Sequence, residues 1–245
     1  MSTLPTMPRL AGTARRSTAA VPIKSRRYAP RNLPYDDDEP MESNWHVRQM
    51  TLLIEGVEIH RRGRDDFFAG GNMFVYFSKA QVRNRDYRGP DFFLVNHVPR
   101  AKKRTYWALW DEGQRGPDLV VELMSKSTQD EDLTTKFAIY EKKLRVPEYV
   151  AFDPETGTIH AWRLGKRKYK PIRPDESGRV WLEQAGLWVG TWRGLHAGSV
   201  DTWLRFFDAN GNLVPTPDEE AARQRTRADA LEAELASLKA KLRVR

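Results

Sequence analysis

The sequence predicts a mixed α/β fold, in which a mixed β-sheet packed with helices is followed by a β extension and a C-terminal helix. Short apolar runs bounded by Gly or Gly-Pro alternate with segments of helical periodicity. A strand–helix–strand unit at 118–152 implies a parallel strand pair with a right-handed crossover. We therefore expect a disordered basic arm over 1–42, a domain over 43–215 and a helix over 216–245.

The first half of the domain is predicted to contain one helix and three strands. Ser43 or Asn44 can cap a helix that runs to about Arg61. The apolar side of this helix consists of Trp45, Met50, Leu53, Ile54 and Val57. Three apolar runs then predict strands at 72–78, 91–96 and 118–124.

The second half is predicted to contain a helix, a strand and a β extension. Thr128 followed by Glu131 forms a capping box, which predicts a helix start. A helical stripe to about residue 144 consists of Leu133, Phe137, Tyr140 and Leu144. A strand is expected at 148–152, hairpin-like segments at 158–164, 168–172, 179–183 and 187–192, and a turn at 208–212.

The C-terminal segment predicts a separate helix. Thr216 caps it, Pro217 occupies its first turn and Glu219 completes a capping box. A coiled-coil seam of alternating three- and four-residue spacing consists of Ala228, Leu231, Leu235, Leu238 and Leu242. Two interpretations follow: a homodimer through residues 221–242, or docking of the helix onto the chain's own domain.

Charge and composition limit the class of protein. The net charge is +8, but residues 1–35 carry seven basic side chains and no acid, so the rest of the chain is close to neutral. The arm is either a solvated tail or a phosphate-attracting segment. The chain has no cysteine, which excludes disulfides and thiolate chemistry. No apolar run is long enough to span a membrane, and a cytoplasmic location fits.

A buried carboxylate is the clearest functional signal. Glu122 lies inside an apolar run that predicts a buried strand, where an ionised carboxylate is costly unless it is paired or bound to metal. If the preceding strand pairs antiparallel with it, Asp91 comes beside Glu122. Two carboxylates would form a hard oxygen site that suits Mg²⁺ or Mn²⁺. The histidines show no spacing typical of zinc ligands.

Lys136 has two interpretations. It lies about 70° from the centre of the apolar stripe at ~100° per residue, so that it can face the sheet. There it would orient a metal-bound hydroxide or offset charge on a phosphate. Alternatively, it forms a surface ion pair with Asp132 at i−4. Lys126 is the next candidate lysine.

These segments, in this order, resemble the PD-(D/E)XK nuclease superfamily. The closer resemblance, over about 43–215, is to a bacterial family described as putative restriction endonucleases. It is carried by GPDFFLV, PDLVVELMSKST, the D-L-x-x-K of 132–136, and VPEYVAFDP.

The resemblance implies a restriction-endonuclease-like fold and Mg²⁺-dependent hydrolysis of phosphodiester bonds. It assigns metal binding to Asp91 and Glu122. Met124 replaces the lysine that the superfamily pattern expects, and Lys136 matches a lysine supplied by the following helix. Asp118 and Ser125 match the motif without a chemical task, and Glu55 and Glu58 are candidates for a further ligand.

Three functions remain open from the sequence. The first is a metal-dependent endonuclease acting on DNA, with basic segments at 100–104 and 165–170 and the side chains of Trp107, Trp110 and Trp162 as candidate DNA contacts. The second is a catalytically inactive nuclease-like DNA-binding module, favoured by Met124. The third is a regulatory oligomer built on the C-terminal helix.

Overall fold

The computed structural model describes residues 43–78, 81, 89–125 and 128–243. The predicted basic arm over 1–42 and Lys126 lie outside the described residues. Helix α1 spans Asn44–His60, and the Ser43 hydroxyl accepts a hydrogen bond from the His46 backbone N–H, as the sequence predicts for a cap.

A six-stranded mixed sheet forms the centre of the domain. Its strands are β1 (Phe67–Gly70), β3 (Phe92–Asn96), β5 (Leu119–Leu123), β6 (Glu148–Asp153), β7 (Thr158–Leu164) and β8 (Tyr169–Pro171), in that spatial order. Strands β5 and β6 are parallel, and every other neighbouring pair is antiparallel. The structure confirms the predicted parallel pairing of β5 with β6, and the antiparallel pairing of β3 with β5 confirms the arrangement expected for Asp91 and Glu122.

Two smaller sheets complete the β structure. Strands β9 (Val180–Leu182), β10 (Leu187–His196) and β11 (Ser199–Phe207) form an antiparallel sheet. Strands β2 (Val75–Tyr76) and β4 (Trp107–Ala108) form a short parallel pair. Helix α1 is joined to β11 by the Gln49 side chain, which exchanges two hydrogen bonds of 2.8 Å with the Leu204 backbone.

Helix α2 connects β5 to β6 and covers one face of the central sheet. It is a continuous helical segment whose parts are α-helical at Gln129–Glu131 and Phe137–Ile139 and π-helical at Asp132–Lys136 and Tyr140–Leu144. Helix α1 and the β9–β11 sheet pack on the opposite face. The residues of β5 alternate accordingly: Leu119, Val121 and Leu123 point to α1, whereas Val120 and Met124 point to α2.

The C-terminal helix α3 spans Pro217–Arg243. Its capping box is confirmed: the Thr216 N–H donates to Glu219, and the Glu219 N–H donates to the Thr216 hydroxyl. Side chains from 221 to 239 are exposed, so these residues do not dock onto the chain's own domain. No helix among the described ranges combines the length and apolar character needed to cross a membrane.

Two sequence predictions need correction. The run at 72–78 is not a strand of the central sheet, because Asn72 adopts a left-handed φ of 47° and only Val75–Tyr76 pairs, with β4. The first strand of the sheet is instead β1, which is too short to show a period. The Thr128 side chain does not cap the helix. Its hydroxyl accepts a hydrogen bond from the Ser125 backbone N–H, and the Ser125 carbonyl accepts one of 2.9 Å from the Gln129 N–H. Strands β4 and β11 were not predicted.

Gly71 allows the backbone to pass close to Asp91, because it has no side chain. A Cβ at position 71 would lie 2.1 Å from the Asp91 carbonyl oxygen and 2.6 Å from the Met50 side chain. We therefore expect Gly71→Ala to lower the free energy of unfolding by roughly 2 kcal/mol, the size typical of overpacking. Gly116→Ala is the matched control, since its Cβ would make only ordinary contacts beyond 3.8 Å. Equal stabilities of the two variants in urea denaturation would contradict this.

Candidate active site

The end of β5 brings two carboxylates together. Phe92 of β3 is paired with Val121 of β5, so the antiparallel register places Asp91 next to Glu122. One Asp91 oxygen accepts a hydrogen bond of 2.7 Å from the Leu123 backbone N–H, which holds the Asp91 carboxylate at this edge. The Asp91 carboxylate lies close enough to Glu122 for the two negative charges to repel each other.

Glu122 is fully buried and is oriented by two side chains from α2. The Tyr140 hydroxyl donates to Oε1 at 2.5 Å, and the Lys136 Nζ lies 3.0 Å from Oε2. Both donors come from one helix, which the hydrophobic stripe packs onto the sheet. The carboxylate orientation therefore depends on the seating of α2.

Lys136 faces the sheet and also pairs with Asp132. Its Nζ lies 3.0 Å from Glu122 and 2.7 Å from Asp132 at i−4. The pair with Asp132 is not a surface pair, because the Asp132 side chain is only 1% exposed. Lys136 is thus a largely buried cation held between two carboxylates, and it points at the sheet as the helical angle predicts.

The charges at this site shift the titration of its acids. Burial raises the pKa of Glu122 to about 7, and the charge of Asp91 adds to this while Lys136 opposes it. Burial likewise raises the pKa of Asp132 to about 6 and raises the pKa of Asp91 above its ordinary value. Burial alone would lower the pKa of Lys136, but attraction to Glu122 and Asp132 dominates and raises it.

The donor set fits a hard divalent cation. Three acids and one lysine give a net charge of −2 when all are ionised, in a site with little water to screen them. Mg²⁺ is commonly held by one or two carboxylates that leave its other positions to water and phosphate. Asp91 and Glu122 are such a pair. The described part of the chain contains no cluster of three or more side chains with metal-ligand geometry.

The other candidate site residues from the sequence take part in contacts away from Asp91 and Glu122. An Asp118 oxygen accepts from the Asn96 N–H at 2.7 Å, which fixes the start of β5 against β3. Ser125 bonds Thr128 at the start of α2. Glu58 pairs with Arg100 at 3.0 Å beside Glu55, in a separate cleft near the start of α3. The structure therefore does not bring Glu55 or Glu58 to Asp91 and Glu122.

The tryptophans proposed as base contacts are mostly core residues. Trp107 and Trp110 are at most 1% exposed. Trp162 is half-buried and stacks on Tyr149 with a centroid separation of 5.5 Å. The first two are therefore excluded as stacking surfaces, and Trp162 alone keeps an accessible edge.

Two residues of the site were not predicted. Tyr140 was predicted only as a member of the apolar stripe. Asp132 was considered only as a surface partner for Lys136, yet its backbone carbonyl also accepts the Tyr149 hydroxyl at 2.9 Å. A tyrosine on an apolar stripe that faces a buried acid was the available signal, because a buried hydroxyl needs a partner.

The raised pKa of Glu122 gives stability a pH dependence. Because the folded-state value of about 7 exceeds the ordinary 4.5, the contribution of protonated Glu122 is present at low pH and is lost as pH rises through 7. In EDTA, we expect Glu122→Gln to raise the melting temperature at pH 8 by about 2–5 °C and to change it little at pH 4.5. Differential scanning calorimetry measures both values.

The exposed Glu176→Gln is the control, and it should change neither melting temperature. A lower melting temperature of Glu122→Gln at pH 8 would contradict the assignment of Glu122 as a destabilising charge in the metal-free protein.

Comparison with known proteins places the chain in a family. No curated protein matches it. Among solved structures, it resembles one described as a putative nuclease belonging to DUF820, from Anabaena variabilis, with 14% identity and a TM-score of 0.45, over 62% of this chain and 81% of that one. The family model described as Uma2, putative restriction endonuclease, matches residues 34–196. This match covers well over half of the sequence, and the chain therefore belongs to the Uma2 family of putative restriction endonucleases.

Proposed function

We propose that the protein is a metal-dependent endonuclease that hydrolyses phosphodiester bonds of DNA. The observation that carries the proposal is the convergence of Asp91, Glu122 and Lys136 at the end of β5. Membership of the family supports nuclease chemistry. The proposal assigns metal binding to the two carboxylates and catalysis to all three residues.

Each residue has a task that its contacts support. Asp91 and Glu122 would hold Mg²⁺ or Mn²⁺, which when bound lowers the pKa of a water and offsets charge on a phosphate oxygen. The Leu123 N–H and the Tyr140 hydroxyl fix the two carboxylates in place. Lys136 supplies a positive charge where charge develops on the phosphate, and its burial strengthens that interaction.

An exposed basic surface supports a nucleic-acid substrate. It combines the end of α2 with the β7–β8 connection, which the Arg145 guanidinium joins by donating to the Lys166 and Arg167 carbonyls at 3.0 and 3.3 Å. We call it the basic patch, and it consists of Lys142, Lys143, Arg145, Lys166, Arg167, Lys168 and Lys170. Lys143 is about 10 Å along α2 from Lys136, at 1.5 Å per residue. In this proposal, the patch binds backbone phosphates of the DNA away from the scissile bond.

The other basic segment, 100–104, has a different role. Arg104 is 1% exposed on its side chain, pairs with Glu112 at 3.0 Å and lies over the Trp107 ring. Lys102 also pairs with Glu112, at 2.6 Å. The burial of Arg104 excludes that side chain from a DNA groove, whereas Lys102 holds the loop through Glu112 and is 45% exposed.

Cleavage of supercoiled plasmid tests the activity. We expect nicking in Mg²⁺ or Mn²⁺ and none in EDTA. Asp91→Asn, Glu122→Gln and Lys136→Met should each lower the rate by about 10²-fold or more, the size typical of lost electrostatic stabilisation. The exposed Lys103→Met is the matched control and should cleave at the parental rate. In a thermal-shift assay, Mn²⁺ should stabilise the parent and not Glu122→Gln.

Two outcomes would contradict the proposal. One is an absence of metal-dependent cleavage by the folded parent protein; if DNA is then retarded on a gel, the inactive binding module is the better description. The other is full activity of Lys136→Met, which would move the catalytic lysine to another position.

The basic patch predicts a salt-dependent contribution to DNA affinity. Replacing Lys166, Arg167 and Lys168 together with alanine should reduce the slope of log affinity against log salt by about 2–3, at ~0.9 per phosphate contact. Fluorescence anisotropy with a duplex oligonucleotide measures the slope. The control removes three scattered exposed arginines, Arg62, Arg115 and Arg173. An equal loss of slope in both triple variants would show that the patch has no special role.

A further inference from the structure

The outer part of α3 carries an apolar stripe with no partner within the described chain. Six large hydrophobic side chains are exposed among the described residues, and three of them are Leu231, Leu235 and Leu238, at 57%, 52% and 51%. They recur at spacings of four and three, so they form one stripe. A helix that packs on nothing is marginal in water. The stripe is therefore suited to a partner.

The base of α3 is fixed to the domain. Arg205 is 2% exposed, donates to Glu219 at 2.7 Å and to the Val214 carbonyl at 2.8 Å, and lies over the Trp192 ring. Together with the Thr216 cap, these bonds hold the first turn of the helix in place. The stripe thus begins two to three turns beyond a rigid anchor, clear of the domain's own core.

The geometry points to a second copy of this chain as the partner, and we propose that α3 forms a parallel, in-register two-stranded coiled coil. In heptad terms, Ala228 and Leu235 occupy a positions, and Leu231 and Leu238 occupy d positions. Leucine is the d residue of the pattern that favours two-stranded parallel coiled coils. The same side chains of the two copies then face each other along the seam.

Charges beside the seam fit this arrangement. The g positions hold Glu220, Arg227 and Glu234, and the e positions hold Arg225, Glu232 and Lys239. In a parallel coiled coil, each g residue faces the e residue five positions later in the other helix. The three facing pairs are Glu220 with Arg225, Arg227 with Glu232, and Glu234 with Lys239. Every pair is attractive, and each occurs twice in the dimer.

The same charges oppose other alignments. A slip of one heptad places Glu220 against Glu232 and Arg227 against Lys239, which repel. In the antiparallel alignment that faces Leu231 with Leu235, each Glu232 faces its counterpart and Arg225 faces Lys239, which also repel. The charge pattern therefore disfavours these two alignments. It allows the antiparallel alignment that faces Leu235 with Leu238, in which Glu232 faces Lys239 and Glu234 faces Lys241, and the introduced thiol described below distinguishes that form from the parallel one.

Sedimentation equilibrium of the full-length protein tests the dimer at roughly 1–100 μM. We expect a monomer–dimer equilibrium whose dissociation constant rises at least tenfold in Leu235→Asp. Ala233→Asp places the same charge on the outer face of α3 and should leave the dissociation constant unchanged. A monomer throughout the range, or a dimer unaffected by Leu235→Asp, would overturn the proposal.

A charge exchange tests the facing pairs. Arg227→Glu should raise the dissociation constant by about five- to tenfold, because two attractive pairs become repulsive. Adding Glu232→Arg should restore it, since the pair is then attractive again with its charges exchanged. Additive weakening in the double variant would overturn the assigned pairing.

A single introduced thiol tests the orientation. The chain has no cysteine, so Gln224→Cys, at a d position, supplies the only thiol. A parallel, in-register pair places the two sulfurs in the same layer, and mild oxidation should give a covalent dimer on non-reducing gels. Absence of this product in a protein that sediments as a dimer would overturn the parallel form. None of these measurements depends on nuclease activity, so their outcome is separate from that of the proposed function.

Discussion

The buried Glu122 carboxylate is the constraint on which the site depends. It occupies a strand position whose neighbours in sequence are apolar, and it is enclosed by the sheet on one side and α2 on the other. Such a group needs partners, and α2 supplies them through Tyr140 and Lys136. The helix cannot shift along the sheet without leaving that carboxylate unpaired. Packing and site geometry are therefore set together.

The same fold contains another buried carboxylate, whose charge is balanced entirely by protein groups. Glu148, at the start of β6, is also fully buried. It accepts two hydrogen bonds from the Arg163 guanidinium and two from the backbone N–H groups of Glu183 and Gln184. Its charge is matched by one arginine and four donors. Glu122 shares its single lysine with Asp132 and lies beside Asp91, so excess negative charge remains there. The surroundings of Glu122 therefore hold more acidic groups than basic ones, whereas the charge of Glu148 is balanced within the fold.

Much of this organisation could be predicted from local signals. The caps at Ser43 and Thr216 and the stripe of α2 follow from nearest-neighbour chemistry, and the pairing of Asp91 with Glu122 follows from strand direction. The strand β1 could not be predicted, because four residues show no period and its stability comes from pairing with β3. Tyr140 could not be assigned a polar task, because its position on an apolar stripe is explained equally well by packing.

The lysine on α2 has a packing explanation. Met124 lies on the same face of β5 as Glu122, two residues on, and is 2% exposed among the side chains between the sheet and α2. A lysine at position 124 would replace the apolar side chain of Met124 with a charged one at this buried position in the layer between the sheet and α2. Lys136 reaches the same carboxylate from the other side of the layer, and it does so at the end of a π-helical segment, Asp132–Lys136.

In a π-helical segment the side chains follow a wider turn than in an α-helix, which changes the direction of the residues that follow. Asp132 at the start of this segment and Lys136 at its end lie 2.7 Å apart, and the Lys136 Nζ also lies 3.0 Å from Glu122. The segment thus delivers an acid and a base to one buried carboxylate while Phe137 and Tyr140 remain packed on the sheet. A lysine on the helix keeps the cation beside Glu122, while Met124 fills the strand position with an apolar side chain.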